Sequence, residues 1–531
     1  MSVATFPPST VHAATRYLPA PPSIPDPGAG SPPVEFRVSE EGEGREYPRN
    51  SAYEPTVAAH PTEPQTLAVV YQGSAPRMRC GLGSVLRISR DGGATWSTAK
   101  RMPMTGRNRG ENYHATIAWG PSPVAGGARL YWVNTTVPGC DYSQHSITIS
   151  WSDDYGQTWS VPFVNRSTAP WIGGLPSIAV DRNPESPGYG SVYVVYNHLA
   201  SLSTGSGVRV LASVDYGRTW SMGAEIPPAA GARACRDTWR ISLKSAVAPD
   251  GRLYVVGHQT DMRHWDPAQP FARGGSRNVC RQAFTISSVA VDRSASTLVV
   301  GTTSVAAEVS RSPQSLSGRF YPGTEAMIVD PTWAYGLSID AETGEIFLAV
   351  GDVRPVGKGA VEAVVRLGRS ADGGVRWSWQ EMPAVEVAGA RSEGRGASGS
   401  FRPVVAACGS GRVVVGVRTI TATAGERAAA SAPRTPVVVG GLAFVSTDGG
   451  ATWSRPLVTA RAMWDARILG RSKNGVGLSD SATCLSDGHV VFAYGDGREG
   501  AAAGPDWGRT SVYLAVVDAH YRRPQPKVVA Y

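Results

Sequence analysis

The sequence predicts an all-β fold: a β-propeller of four-stranded antiparallel blades, seven by the repeat count, with six as the alternative. Three observations predict it. One phrase, Ser-x-Asp-x-Gly-x-Thr-Trp, recurs at 89–96, 152–159, 213–220, 370–377 and 446–453. Pairs of apolar strands joined by a turn recur at 55–71, 114–134, 176–197, 241–257, 336–350, 403–417 and 481–494. The 531 residues include 61 Gly, 40 Pro and 15 Trp, which suits many short strands and turns. Repetition at a spacing of tens of residues marks a solenoid, propeller or array.

Each position of the phrase has a physical task. Apolar and β-branched residues run into it, as in Val85-Leu86-Arg87-Ile88 and Ile147-Thr148-Ile149, so a strand leads in. The Asp accepts from backbone N–H groups of a tight turn. The Gly supplies the positive φ that a hairpin turn needs. The Trp begins the return strand and covers the turn with a large apolar ring. The fourth copy has Arg376 in place of Thr but keeps Asp372, Gly374 and Trp377.

The strand pairs outnumber the phrases. The fourth and seventh units have third strands without the phrase, near 283–291 and 510–517. The interval from Asp215 to Asp372 is more than twice any other between phrases, so one blade lacking the phrase fits there. Closing such a ring removes free sheet edges, and the two terminal segments are expected to pair within one blade.

The phrase resembles the Asp-box, or BNR repeat, of sialidases and related β-propellers. The resemblance covers most of the chain from about residue 50 onward. It implies that the box joins the third and fourth strands of a blade, on the face away from the active site. The five Asp residues are then structural. It also implies secretion or a place at the cell surface, although 1–30 lacks a signal pattern and is Pro-rich. Residues 1–50 are expected to be a partly disordered arm, and 51–531 a single propeller domain.

Composition narrows the partners. Lys and Arg number 51 against 43 Asp and Glu, a net charge of +8, with arginines scattered and no basic run. That suits attraction for an anionic ligand and not a nucleic-acid surface. No apolar run reaches the roughly 18 residues of a membrane helix. No HExxH, CxxC or Walker loop occurs, so neither metal nor cofactor is expected. Of six cysteines, Cys80 with Cys140 and Cys235 with Cys280 could meet as disulfides. Cys408 and Cys484 fall in first strands and read at least as well as buried free thiols.

In a propeller the first strands line the axis, and their beginnings open on the face opposite the turn phrase. That lining includes Glu54, Glu111, Tyr113, His114, Trp171, Asp237, Trp239, Arg240, Trp333, Tyr335, Phe401, Arg402 and Asp480. Second strands end near His198, His258, Asp261, Asp352, Arg354, Arg418, Asp496 and Arg498. Arginine offers a planar fork for a carboxylate, aromatic faces stack on sugar rings, and carboxylates move protons.

Phe401-Arg402-Pro403-Val404 resembles the Phe/Tyr-Arg-Ile-Pro motif of sialidases, without the Ile. The resemblance makes Arg402 the first arginine of a triad gripping an acidic sugar, with Arg240 and Arg498 as the other two. Sialidases use a Tyr nucleophile, a Glu that takes its proton and an Asp acid. Carried over, Asp506 is the acid, Tyr335 or Tyr113 the nucleophile, and Glu111 or Glu325 the base. Tyr113, His114, Trp239 and Trp333 would contact substrate. The expected function is therefore an exo-acting glycoside hydrolase for an acidic sugar, working as a monomer on a glycan or glycoconjugate. The alternatives are a non-catalytic glycan- or protein-binding propeller, or another carbohydrate-active enzyme such as a polysaccharide lyase.

Overall fold

The computed structural model describes residues 33–40, 52–73, 83–102, 110–124, 126–139, 145–166, 176–201, 205–229, 238–261, 282–309, 335–355, 361–383, 397–422, 437–460, 464–465, 480–498 and 510–520. Among the described residues every helix or strand element is a strand. The chain opens with β1 (Val34–Arg37). It then forms one antiparallel sheet from β2 (Tyr53–Ala59), β3 (Leu67–Gly73), β4 (Gly83–Ser89) and β5 (Lys100–Arg101). A second sheet holds β6 (Gly110–Pro121), β7 (Ala128–Pro138), β8 (Ser146–Ser152) and β9 (Phe163–Arg166). A third holds β10 (Ser177–Val180), β11 (Val192–Ser201), β12 (Gly205–Ser213) and β13 (Met222–Ile226). The fourth is β14 (Thr238–Val247), β15 (Leu253–Asp261), β16 (Gln282–Asp292) and β17 (Thr297–Val300), with β18 (Ser304–Val309) also on β16.

Two further meanders share one nine-stranded sheet. One is β19 (Tyr335–Ile339), β20 (Ile346–Pro355), β21 (Val361–Ser370) and β22 (Ser378–Glu381). The other is β23 (Ala397–Ala407), β24 (Val413–Ala422), β25 (Val437–Ser446) and β26 (Leu457–Val458), with β27 (Trp464–Asp465) also on β25. They join where β21 and β23 run parallel over Val361–Ala363 and Ala397–Gly399. The last sheet is β28 (Ser481–Cys484), β29 (His489–Asp496) and β30 (Ser511–Asp518), with β1 on its outer edge. Val34 faces Val516 and Arg37 faces Tyr513 across that antiparallel pair. The terminal segments thus pair within one sheet. β1 falls inside the stretch expected to be an arm, and Phe36 packs against the core shared by the last and first sheets.

The first strands touch in order, β2 with β6, β6 with β10, β10 with β14, β14 with β19, β19 with β23, β23 with β28, and β28 again with β2. This is a propeller-like arrangement. Hydroxyls stitch several of these neighbours: Ser481 Oγ accepts from the Val57 amide at 2.8 Å, Ser177 Oγ from Ser245 at 2.9 Å, and Ser338 Oγ from Ala407 at 3.0 Å. Apolar cores lie between successive sheets. Leu86, Ile88, Trp119 and Trp132 bridge the first two, and Val404, Val445, Phe492 and Val517 bridge the last two. Each sheet is therefore apolar on both faces, which is why its central strands read as continuous Val/Ile/Leu runs.

All five Asp-boxes make the same hydrogen bonds. The Ser hydroxyl donates to the Asp at 2.7–2.9 Å and accepts from the amide of the second turn residue at 2.8 Å. The Asp accepts from the amide four residues on at 2.8–2.9 Å. Two successive left-handed residues make each turn. The first is Gly in three boxes but Tyr155 (φ 57°) and Tyr216 (φ 61°) in the others. Tyr155 is held by its hydroxyl on Glu63 at 2.6 Å and by stacking on His60.

The second turn glycine abuts the preceding sheet. A Cβ on Gly217 would lie 2.8 Å from Tyr131, on a backbone at φ 80°. Gly217→Ala is therefore expected to cost about 1–3 kcal/mol, read as a lower midpoint in guanidinium unfolding. Hydrogen bonds from Thr95 hold the Asp91 carboxyl below the usual range, and the Arg376 amide does so for Asp372. Depressed carboxylates contribute stability above their unfolded values, near 4, and lose it as pH falls through the folded ones. The melting temperature is expected to drop below about pH 4, and Asp91→Asn to blunt that drop.

Cys408 and Cys484 are not free thiols. They form a disulfide with Cα atoms 5.6 Å apart, joining the ends of β23 and β28. Residues 76 apart in sequence meet because β23 and β28 lie side by side. The pairs Cys80–Cys140 and Cys235–Cys280 lie outside the described residues.

Candidate active site

Four inner strands break register at equivalent points. The breaks fall between Tyr53 and Thr56 in β2, Tyr113 and Thr116 in β6, Ile241 and Lys244 in β14, and Phe401 and Val404 in β23. Each is a bulge, which re-aims side chains and is common beside active sites. In three of them the bulge residue is left-handed: Glu54 (φ 54°), His114 (φ 52°) and Arg402 (φ 51°). None is glycine, so each conformation costs on the order of 1–3 kcal/mol. Leu67 pairs with Ser89 while Gly73 pairs with Gly83, so the box lies at the finish of β2 and Glu54 at its other end. The strained residues thus sit in the half of the inner strands away from the boxes.

Charged groups gather there. Arg402 is 3% exposed and grips Asp480 with Nε and Nη2, each at 3.4 Å. Arg418 of β24, opposite Gly441, places its Nε on the same carboxylate at 3.4 Å. Arg418 also donates to Gly495 O, lies 4.2 Å above the Tyr494 ring, and approaches Asp496 at 4.0 Å. Its buried Nη1 has no hydrogen-bond partner among the described residues. Burial pulls the Arg402 guanidinium below its ordinary value, with Asp480 opposing. A small pocket opens against Arg402, Arg418, Asp480, Thr459, Phe492 and Tyr494.

Across the axis, Lys244 of β14 shares this field. Desolvation lowers its ammonium to about 8, while Asp480 and Glu54 act to raise it and Arg402 to lower it. An amine and a guanidinium from β14 and β23 therefore face carboxylates from β2 and the approach to β28. On β6, His114 Nδ1 lies 3.1 Å from Glu54 Oε2, with Glu54 only 4% exposed and His114 19%.

The structure brings together Arg402, His114 and the lining residues Glu54, Arg418 and Asp480. It sends two expected residues elsewhere. Tyr335 is a core residue rather than a nucleophile: it is 1% exposed, packs on Phe284, and donates its hydroxyl to Val256 O at 2.7 Å. Burial pushes that hydroxyl well above its ordinary value. Arg498 belongs to the closing sheet instead of the triad. It pairs with both oxygens of Glu35 at 2.7 and 2.8 Å and with Asp496 at 2.8 and 2.9 Å, over the Tyr513 ring. Glu111 and Tyr113 lie on β6 and Trp239 and Arg240 on β14, but their side chains fall outside the described set. Trp333 and Asp506 lie outside the described residues altogether.

Sequence reasoning missed Lys244. Its signal was a lone lysine in an inner strand otherwise set by Ile241, Leu243, Ala246 and Val247. The bulge between Ile241 and Lys244 shifts the alternation by one, so simple period-two reading gives it no place on the axis.

No curated protein matches the chain in sequence. Three similar solved structures are an ulvan lyase, a penicillium enzyme and a microbial sialidase. The ulvan lyase is 11% identical over 91% of this chain and 96% of that one, with a TM-score of 0.47. The alpha-L-arabinanase of Penicillium chrysogenum is 16% identical over 77% and 98%, with a TM-score of 0.42. The Hadza microbial sialidase is 12% identical over 92% and 95%, with a TM-score of 0.38. The BNR/Asp-box repeat family matches residues 444–455. With that match, and with the same turn hydrogen bonds formed at each copy of the phrase, the chain carries BNR/Asp-box repeats.

Proposed function

We propose that the chain is a seven-bladed propeller enzyme that cleaves an acidic glycan at the mouth opposite its Asp-boxes. The finer reading is a sialidase-like exo-glycoside hydrolase. One observation carries the acidic substrate: Arg402 and Arg418 converge on one carboxylate, with a buried Arg418 Nη1 donor that lacks a hydrogen-bond partner among the described residues. A buried donor of that kind calls for an oxygen partner, which a ligand carboxylate would supply. Arginine suits the task because its fork matches a carboxylate and its charge persists when desolvated. Lys244 adds a third cation to the same field. The cyclic contact of first strands supports the seven-bladed count. The Cys408–Cys484 disulfide supports an oxidising, extracytoplasmic setting.

The test is turnover of a fluorogenic sialic acid glycoside beside neutral and uronic acid glycosides. Arg402→Lys keeps the charge and removes the fork. It is expected to lower kcat/KM on the acidic substrate about 10- to 100-fold, the worth of a charge-assisted hydrogen bond. Turnover confined to neutral sugars, or unchanged in the variant, would sink the acidic-substrate reading. Silence across the panel with glycan binding retained would leave a binding propeller.

A further inference from the structure

We propose that His114, oriented by Glu54, is a proton-transfer residue of the mouth, a catalytic role beyond substrate contact. This rests on the reading that the mouth is where a glycan is cleaved. Three of the other histidines are buried, His60, His258 and His145. His60 accepts from the amides of Glu63 and Thr62 through Nδ1 and packs edge-on against Trp119. His258 is fully buried and stacks on Phe284, and His145 is 3% exposed. His60 and His258 thus serve turn structure and packing. His114 differs from these three in three ways, and from His489 and His520, which pair with the nearby Asp487 and Asp518, in its left-handed bulge and its partner on another strand. It is partly open at 19%, its partner is a carboxylate, and both residues occupy strained bulge positions.

An ionised carboxylate only accepts, so the 3.1 Å contact with Glu54 places the neutral ring's proton on Nδ1. Nε2 is then the acceptor nitrogen, and Glu54 stabilises the imidazolium that forms when Nε2 takes a proton. Glu54 is held within the same field as Lys244 and Arg402, where Asp480 also acts. Among the described residues, these are the charged groups around the pair from β2, β14, β23 and the approach to β28. They put the proton acceptor beside the cations that would hold a sugar carboxylate.

The step balances with water alone. A water gives one proton to Nε2 as its oxygen bonds to the anomeric carbon. The glycosidic C–O bond breaks and its electron pair leaves on the departing oxygen. The imidazolium passes its proton to bulk water, from which the departing oxygen is protonated. Backbone strain explains why the residue is worth keeping: left-handed, non-glycine bulges persist where the surroundings over-determine them, and they cluster at functional sites.

The test uses the full-length protein and two readouts. His114→Asn is the informative variant, because Asn tolerates the left-handed backbone and removes only the imidazole. On whichever panel glycoside the wild type cleaves, kcat is expected to fall about 100-fold or more, with KM changed less than about threefold. Glu54→Gln, a positioning change, is expected to lower kcat about tenfold and to move the acid limb of the pH profile. The second readout needs no substrate. Nitrogen-15 spectra of histidine-labelled protein should show His114 with a protonated Nδ1 and a bare Nε2, and Glu54→Gln should blur that tautomer. A His114→Asn enzyme with near wild-type kcat overturns the proposal. So does a protonated Nε2, even if no panel sugar is cleaved, which keeps this failure distinct from failure of the substrate reading.

Discussion

Asp480→Asn is expected to destabilise the protein by about 3–5 kcal/mol, the cost of removing one partner from a buried ion pair. The reason is the number of charges it holds. Asp480 is 6% exposed and receives Arg402 and Arg418 together, both at least as buried. An Asn of the same shape leaves two guanidinium groups without their shared countercharge. Lys244 also loses the carboxylate that most opposes its desolvation. Guanidinium unfolding of wild type and variant checks the stability, and sialoside turnover checks the site. A variant that unfolds at the wild-type midpoint would show that water or Glu54 already screens the arginines. The double variant Asp480→Asn with Arg402→Met should recover part of the loss, because an apolar isostere relieves the uncompensated charge.

Replacing Cys408 and Cys484 together with Ser is the second large effect. The bond closes a loop with a sequence separation of 76 residues, which in the chain-entropy account corresponds to about 4–5 kcal/mol. The expected observation is a lower guanidinium midpoint in the double variant, matched by wild type after reduction. The bond joins β23 and β28, and the same two elements carry Arg402 and the residue following Asp480. Weaker substrate turnover at temperatures where the variant is still folded is therefore expected. An unchanged midpoint would mean that the apolar core of Val404, Val445, Phe492 and Val517 alone fixes the two sheets.

The turns were legible because their chemistry is local. Ser, Asp, Gly and Trp act on residues within eight positions, and sequence order shows all of them at once. The strand pairs were legible for the same reason, each being two apolar runs and one turn. What the sequence did not show are partners that the ring brings together. Arg402 meets Asp480 across 78 positions, and Arg498 meets Glu35 across 463. Nothing near Arg498 announces Glu35, which lies in a Pro-rich segment that reads as an arm. The same distance hid the Cys408–Cys484 bond. Tyr335 was misplaced for a different reason. Its position at the start of a first strand is compatible with the axis, but its ring turns into the apolar layer with Phe284 and Leu348. Lys244 was lost to a single extra residue, since a bulge reverses which face later side chains take.

The edge strand at Val34–Arg37 has a consequence for how the chain is made. It leaves the ribosome well before its partner at Ser511–Asp518, which lies more than 450 residues later in the sequence. Throughout synthesis the first sheet has no neighbour on one side, and Phe36 has no core to enter. Sheet edges left open are templates for mispairing between nascent chains. Glu35 and Arg498 form their ion pair only once the last sheet exists, so it acts as a latch on that sheet rather than a guide to its assembly. Chains that terminate early, before residue 511, should therefore be recovered as aggregates or protease fragments and not as smaller stable propellers.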